Sequence, residues 1–599
     1  MNSQPQKLPQ KLPIGIQSFS EMRKNGYRYV DKTPNIAELV ERGKYYFLSR
    51  PRRFGKSLLV DTLDCAFSAR KELFNGLFLA SKDANWSWER KSPVLRIDFS
   101  GGTIENKTAM ETHLHRIIDT WETQWEAQRE TQREAHWETQ WEAQKETAHH
   151  HASHTAPKTG SPTKTGSPSE QAGTGNSPGA LSASKSPQSP GAPTTASRHA
   201  PPNASPGHRL LSFIPKLAEK TGEQVVILID EYDKPILDNL NNPEEAGKIR
   251  NVLRDFYGAI KPLDEHLRFV LLTGVSKFAK AGIFSGLNNL HDITLSRRYS
   301  TLCGYRQHDL ETVFADLLEH FDKDMVRTWY NGYSWAGEPV YNPFDILLLF
   351  EEGEYRPWWF ETGTPSFLTQ LLKNKPRTLP DFEGMSAGND ILGSFEIDNQ
   401  KPETLLFQAG YLTIKDVVSN PQTGTRYTLG FPNREVRESF SRLMLTLLNV
   451  PETMIPDYPL RRLMEKGDTT SLHKEMQAFF AAIPYTWHTK SPIAEYEGYY
   501  ASVAYAYFAS IGYEVIPEDT TNRGRADMTV KTDSNTWIFE FKVRDLDKSG
   551  DKSPLEQIKE RGYAEKYISS NLPIHQIGIV FDPKKRSIES WETETREVG

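Results

Sequence analysis

The chain has 599 residues, 37% of them hydrophobic and 11% aromatic, enough for roughly three or four domain cores. Its 78 acidic and 72 basic residues leave a net charge of −6, which excludes nucleic-acid binding by overall positive charge but not by a local basic groove. Two cysteines, Cys65 and Cys303, exclude a disulfide scaffold and a four-thiolate zinc site. No apolar run reaches the ~18 residues of a membrane helix, so a cytoplasmic protein without a membrane span is expected.

A strand is predicted over Tyr45 to Ser49. It runs into Arg50-Pro-Arg-Arg-Phe-Gly55-Lys56-Ser57 and then an apolar helix from Leu58 to Phe67. Strand, tight loop and helix are the setting of a phosphate-binding loop. Gly55 and the loop amides would face phosphate oxygens, Lys56 would reach the β and γ phosphates, and the Ser57 hydroxyl would ligate magnesium. The general loop opens on glycine, where this chain has Arg50. Arg50, Arg52 and Arg53 have two readings: contact with phosphates, or pairing with acids on a neighbouring element.

After a second predicted strand, Val94 to Phe99, the chain changes character between Trp121 and His208. Trp121-Glu-Thr-Gln-Trp-Glu-Ala-Gln recurs 16 residues on at Trp137. Of residues 151–200, 38 are Ala, Ser, Thr, Pro or Gly, too few apolar groups to offset the entropy of ordering. Residues 120–207 are read as a low-complexity, largely disordered insertion. A docking tail and a metal site at His149–His151 and His154 are the alternatives.

Val225 to Ile229 is wholly apolar and reads as a buried central strand. Asp230 and Glu231 stand at its carboxyl end, where ligands bind in open α/β sheets. Asp230 would hold the magnesium of ATP through water, and Glu231 would polarise the attacking water. Leu267 to Thr273 is a fourth strand. Thr273 could sense the γ phosphate or simply end the strand. No Asn-Lys-x-Asp motif follows, which favours adenine over guanine. Arg297 and Arg298 are candidates for an arginine finger. Apolar strands alternating with helices predict a parallel sheet covered on both faces.

From Asp309 to Arg462 the chain reads as helical, with a hairpin pairing Tyr411–Ile414 with Tyr427–Gly430. Thr404 to Val436 fits a winged helix, or equally helix packing beside a structural hairpin. A helical linker is expected over 463–492.

The last region, Ile493 to Trp591, reads helix, strand, hairpin, helix, strand. Glu497 lies on the first helix. Asp527 ends one arm of the hairpin, and Glu540 and Lys542 lie on the other. Residues i and i+2 of a strand share a face, so Glu540 and Lys542 point together. Asp527 and Glu540 suit Mg2+ or Mn2+, which would polarise a phosphodiester. Lys542 would orient water or stabilise developing charge. Lys584-Lys-Arg586 is a short basic run nearby, read as a phosphate contact or a solvated loop.

Leu12-Pro-Ile-Gly-Ile-Gln17, Tyr29-Val-Asp-Lys-Thr33, the Arg50–Ser57 loop, Leu228-Ile-Asp-Glu-Tyr-Asp-Lys-Pro235, Trp329-Tyr-Asn-Gly-Tyr333 and Pro432-Asn-Arg-Glu-Val436 resemble the bacterial AAA-ATPase-like family. That resemblance covers nearly all of the chain outside 120–207 and implies that Arg50 is the family's ordinary loop residue. The C-terminal region resembles the PD-(D/E)XK nuclease superfamily domain often fused to that family. The resemblance implies Asp527 and Glu540 as metal ligands, Lys542 as the catalytic lysine and Glu497 as a further carboxylate. Gln557 and Tyr563 would support the site or serve only helix packing.

The expected fold is α/β. It comprises a P-loop ATPase domain (1–308), a helical or winged-helix region (309–462), the linker and a restriction-endonuclease-like domain (493–599). The leading functional expectation is ATP binding and hydrolysis coupled to metal-dependent cleavage of nucleic acid, DNA first, in a chain that could form a homo-oligomer. The alternatives are a nucleotide-switched regulator or scaffold that binds without cutting, and a DNA-binding regulator acting through the middle region.

Overall fold

The computed structural model describes residues 11–126, 204–278, 280–362, 369, 372, 379–388, 401–448, 450–456, 458–483, 497–544, 552–585 and 587–597. The second copy of the repeat, the low-complexity run and the histidine cluster at 149–154 lie outside the described residues, as does Arg586. The first copy begins inside the fold. Trp121 is buried among Ile118, Leu210 and Leu217, and the Arg209 guanidinium, on the helix that follows the segment, donates to Glu122 at 2.7 Å.

Five strands form the first sheet: β1 (Tyr45–Ser49), β2 (Val94–Asp98), β3 (Val225–Asp230), β4 (Leu267–Gly274) and the two-residue β5 (His291–Asp292), which the sequence reading did not anticipate. Their order is β2-β3-β4-β1-β5 and every pairing is parallel. β1 and β3 are buried at every position because helices cover both faces. Val226 and Leu228 face the helix Lys56–Phe67 through Leu59, Val60 and Leu63. Val225, Ile227 and Ile229 face Pro206–Thr221 and Pro243–Gly258 through Phe213, Ile249 and Leu253. Since β4 lies between β1 and β3, the ends of β3 and β4 stand beside the loop that leaves β1.

The middle region is helical around a small antiparallel sheet of β6 (Met385–Gly388), β7 (Thr413–Asn420) and β8 (Gly424–Gly430), in the order β6-β8-β7. The hairpin is longer than its apolar residues suggested, and its far end is exposed, with Val418 at 58%. The helix Pro402–Ala409 ahead of it is not available to read a DNA groove. Thr404 to Ala409 are all buried, and the Gln408 side-chain oxygen accepts from the Lys277 amide at 3.0 Å. Gly410 closes this helix at φ +94 against the phosphate loop, where an added Cβ would stand 2.7 Å from Pro51. The middle region's expected route to DNA is therefore absorbed in packing on the ATPase core.

The second large sheet has β9 (Glu514–Thr520), β10 (Arg525–Lys531), β11 (Thr536–Val543), β12 (Ile574–Asp582) and β13 (Ser587–Arg596) in the order β13-β12-β11-β10-β9. Only β11 and β12 run parallel. The helix Glu497–Ala509 covers one face, with Phe508 on Phe539 and Tyr500 stacked on Phe581. The helix Pro554–Arg561 covers the other, with Ile558 against Ile538 and Ala526. One apolar cluster joins the phosphate-loop helix, the middle region and this sheet. Among the described residues no helix is long and apolar enough to cross a membrane.

Candidate active sites

The loop after β1 closes on Gly55, whose φ of +87 permits the turn and opens the N-terminus of Lys56–Phe67. Gly55, Lys56, Ser57 and Glu231 line a cleft of about 330 Å³, together with Arg52, Arg53, Pro13, Ile16, Phe344 and Thr362. The Lys56 ammonium is buried and donates to the carbonyls of Arg50 and Pro51, both at 3.0 Å. Arg53 adopts φ +68 and stacks its guanidinium 4.8 Å from the Phe344 ring centre.

Arg50 does not line the cleft and pairs with no acid among the described residues, so neither of its two expected roles, phosphate contact or ion pair, is what its side chain does. It is fully buried, donating to the carbonyls of Ser49, Thr294 and Tyr299 and stacking 4.1 Å over Trp335. Burial pushes its guanidinium pKa down to about 10. Arg50 replaces the general loop glycine with a strut that ties β1 to the loop after β5. Arg50→Ala strands three carbonyls and opens a cavity, an expected loss of at least ~3 kcal/mol in chemical denaturation. A variant within ~0.5 kcal/mol of wild type would show the strut to be dispensable.

Asp230 is buried at the end of β3. Its Oδ1 accepts from the Thr273 hydroxyl at 2.5 Å and from the Glu231 amide at 3.1 Å, while its Oδ2 has no hydrogen-bond partner. A buried carboxylate oxygen without a donor costs free energy unless something positive reaches it, so Asp230 fits water held on Mg2+. Thr273, on β4 between β1 and β3, thus touches the acid at the end of β3. Glu231 holds φ +52, a strained backbone for a non-glycine residue. Burial raises its carboxyl above the ordinary range, with the Lys56 charge opposing. Arg298 ion-pairs with Glu38 within this chain.

Two features were missed. The strap Pro13–Gln17 walls the cleft; its only sequence signal was the Pro-Ile-Gly motif. Asp233, fully buried, accepts from the Ser276 amide at 2.6 Å and from its hydroxyl, pinning the turn after β3 to the turn after β4.

Beneath the loop lies a second unanticipated group. Glu435 Oε1 accepts from the amides of Trp359 at 2.9 Å and Phe360 at 3.3 Å. Asp345, equally buried, lies close enough to Glu435 for a shared proton to bond them. Two buried carboxylates cannot both ionise at this distance. Burial pushes Asp345 up to about 8. The folded chain thus keeps a proton that unfolded Asp345 releases above about pH 4. Stability should therefore fall as pH rises from there through about 8, by up to ~1.4 kcal/mol per pH unit from this proton, and Glu435, which burial also raises, extends the fall. Asp345→Asn removes the need for that proton, so its melting temperature should change less than wild type's between pH 5 and 8. Parallel curves for the two proteins would contradict this.

In the second sheet the β10–β11 register, Met528 opposite Phe539, places Asp527 opposite Glu540. Asp527 Oδ2 accepts from the Phe541 amide at 2.7 Å, and Glu540 Oε2 accepts from the Asp527 amide at 3.4 Å. Burial pushes the Asp527 carboxyl up to about 6, with the Phe541 amide and the Lys542 charge opposing. Glu540 is buried and Lys542 half-buried two residues along the strand. The Gln557 side-chain amide donates to Glu540 Oε1. Tyr563 sits within hydrogen-bonding reach of Gln557 and feels the Glu540 charge. The structure thus gathers five of the six sequence-predicted residues. The sixth, Glu497, opens a helix that meets the same end of the sheet through Tyr500 and Phe581, and its side chain lies outside the described residues. Two adjacent carboxylates offer hard oxygen donors of the kind Mg2+ and Mn2+ take.

The family model described as Predicted AAA-ATPase matches residues 13–160 and 183–284, so it extends into the segment read as an insertion. The PD-(D/E)XK nuclease superfamily model matches residues 495–591. A relative from Azotobacter chroococcum mcd 1, described as an uncharacterized protein in the vnfD 5′ region, is 41% identical over 588 residues, spanning 98% of this chain and 99% of its own length. No solved structure matches.

Proposed function

The chain belongs to the predicted AAA-ATPase family and carries a PD-(D/E)XK nuclease superfamily domain, and from this we propose that it binds and hydrolyses ATP and cleaves nucleic acid, DNA first, in the cytoplasm. The observation that carries the reading is the pairing of Asp527 with Glu540 across two strands, with Lys542 on the same face as Glu540.

At the first site Lys56 and the amides at the start of its helix bind the β and γ phosphates. Ser57 and Asp230 hold magnesium, Asp230 through water. Glu231 orients and polarises the attacking water, and Thr273 fixes the Asp230 carboxylate. Ile16, Tyr305, Phe344 and Leu347 give an adenine ring an apolar wall.

At the second site Asp527 and Glu540 hold Mg2+ or Mn2+, which when bound polarises the phosphodiester and lowers the pKa of water. Lys542 places the attacking water and offsets charge on the phosphate. Gln557 fixes the Glu540 carboxylate, and Tyr563 fixes Gln557.

The test is incubation of the purified full chain with single- and double-stranded DNA and RNA in magnesium or manganese. Metal-dependent products, absent with a chelator, support the reading. Tight binding without products on every substrate would favour the nucleotide-switched scaffold.

A further inference from the structure

A short run of contacts whose centre is Glu435 joins the phosphate loop to the helix that covers one face of the nuclease-like sheet. On the nucleotide side, the Trp359 indole N–H donates to the Arg52 carbonyl of the phosphate loop at 3.2 Å. The next residues lead to Thr362, which lines the same cleft. The backbone amides of Trp359 and Phe360 are anchored on Glu435. Glu435 starts the helix Arg434–Leu447, and that helix lies against Glu497–Ala509, which covers the nuclease-like sheet. Two contacts tie the helices further along. Arg442 Nε donates to the Ser510 carbonyl at 3.0 Å, and a Cβ at Gly512 would strike the Arg434 guanidinium. Glu497 opens the far helix.

Packing alone does not call for an acid at Glu435. Its Oε2 and both Asp345 oxygens are buried with no donor apart from a proton shared between the two side chains. The groups facing them are Tyr333, Asn433 and the Trp359 and Phe360 amides, which belong to three separate stretches of chain. An apolar pair would fill the space at lower cost. A buried acid anchoring two amides holds one geometry of the Trp359 segment relative to its helix, and so relays movement instead of cushioning it.

We propose that Glu435, braced by Asp345, is the positioning residue that carries the state of the phosphate loop through Trp359 and the helix Arg434–Leu447 to the helix Glu497–Ala509, which covers the face of the nuclease-like sheet opposite Glu540 and Lys542. This rests on the nucleotide reading of the cleft. It does not require that the second site cut.

The experiment is amide hydrogen exchange on the full chain with and without ATP and magnesium, with ATP affinity measured separately by calorimetry. In wild type, ATP should change protection in both Arg434–Leu447 and Glu497–Ala509. Trp359→Phe keeps an aromatic ring, though a smaller one, and removes the N–H that reaches Arg52. It should still bind ATP, yet the change in Glu497–Ala509 should shrink by about fivefold or more, the low end of measured couplings between sites. Glu435→Ala should do the same. Glu435→Gln, which still accepts from both amides and can donate to Asp345, should restore the response, and a merely structural loss of packing would not show that rescue. ATP binding with no change in these helices, or an undiminished change in Trp359→Phe, would overturn the proposal. Absence of ATP binding in wild type would overturn the nucleotide reading itself, and the relay with it.

Discussion

Lys56→Ala should abolish ATP hydrolysis and weaken ATP binding more than any other single change in the cleft. Lys56 is the cation buried at the head of the phosphate-loop helix, and its ammonium already lies within a closed ring of loop carbonyls from Arg50 and Pro51. Its removal takes away charge that must grow in importance as the γ phosphate departs. Loss of one such preorganised group costs a factor of about 10²–10³ in turnover. Glu231→Gln should separate the two functions. The amide keeps the shape and the strained turn at φ +52 but cannot polarise water, so binding should persist while turnover falls by a similar factor. Steady-state hydrolysis beside calorimetric binding checks both. Full hydrolysis in Lys56→Ala would mean that the cleft is not the nucleotide site.

Lys542→Ala should reduce metal-dependent cleavage by about 10²–10³-fold while leaving the fold intact. Lys542 is half-buried on β11, and the buried residues on either side, Phe541 and Val543, belong to the core. Truncation therefore removes charge near Asp527 without opening the interior. Glu540→Gln is the less clean variant. Glu540 is 2% exposed and binds both the Gln557 amide and the Asp527 backbone, so its change alters support and metal affinity together. Circular dichroism beside the cleavage assay separates loss of chemistry from loss of structure. Cleavage unchanged in Lys542→Ala would place the chemistry elsewhere.

What the sequence disclosed was local. Gly55-Lys56-Ser57 after an apolar run and Asp230-Glu231 after a second one announce a sheet with phosphate chemistry at its strand ends, because strand, turn and helix are written within about fifteen residues. Glu540 and Lys542 were readable through the two-residue period of a strand, and Asp527 through the length of a hairpin. Residues whose role comes from distant partners were not readable. Arg50 was readable only as a phosphate contact or an ion-pair partner, because nothing nearby says that the carbonyls of Thr294 and Tyr299 will surround it. Asp345 and Glu435 are 90 positions apart in the chain and meet only in the folded core. Thr404 to Val436 left winged helix and plain helix packing equally open, because the burial of Thr404 to Ala409 cannot be seen in so short a segment.

The proposed function couples ATP to cutting of nucleic acid within one chain. Its most direct test is the initial rate of cleavage of the best substrate by wild-type protein in magnesium, with saturating ATP and without it, beside Lys56→Ala under the same conditions. The rate should change severalfold with ATP in wild type and be indifferent to ATP in Lys56→Ala. Equal rates with and without ATP in the wild-type protein, with ATP bound, would contradict it.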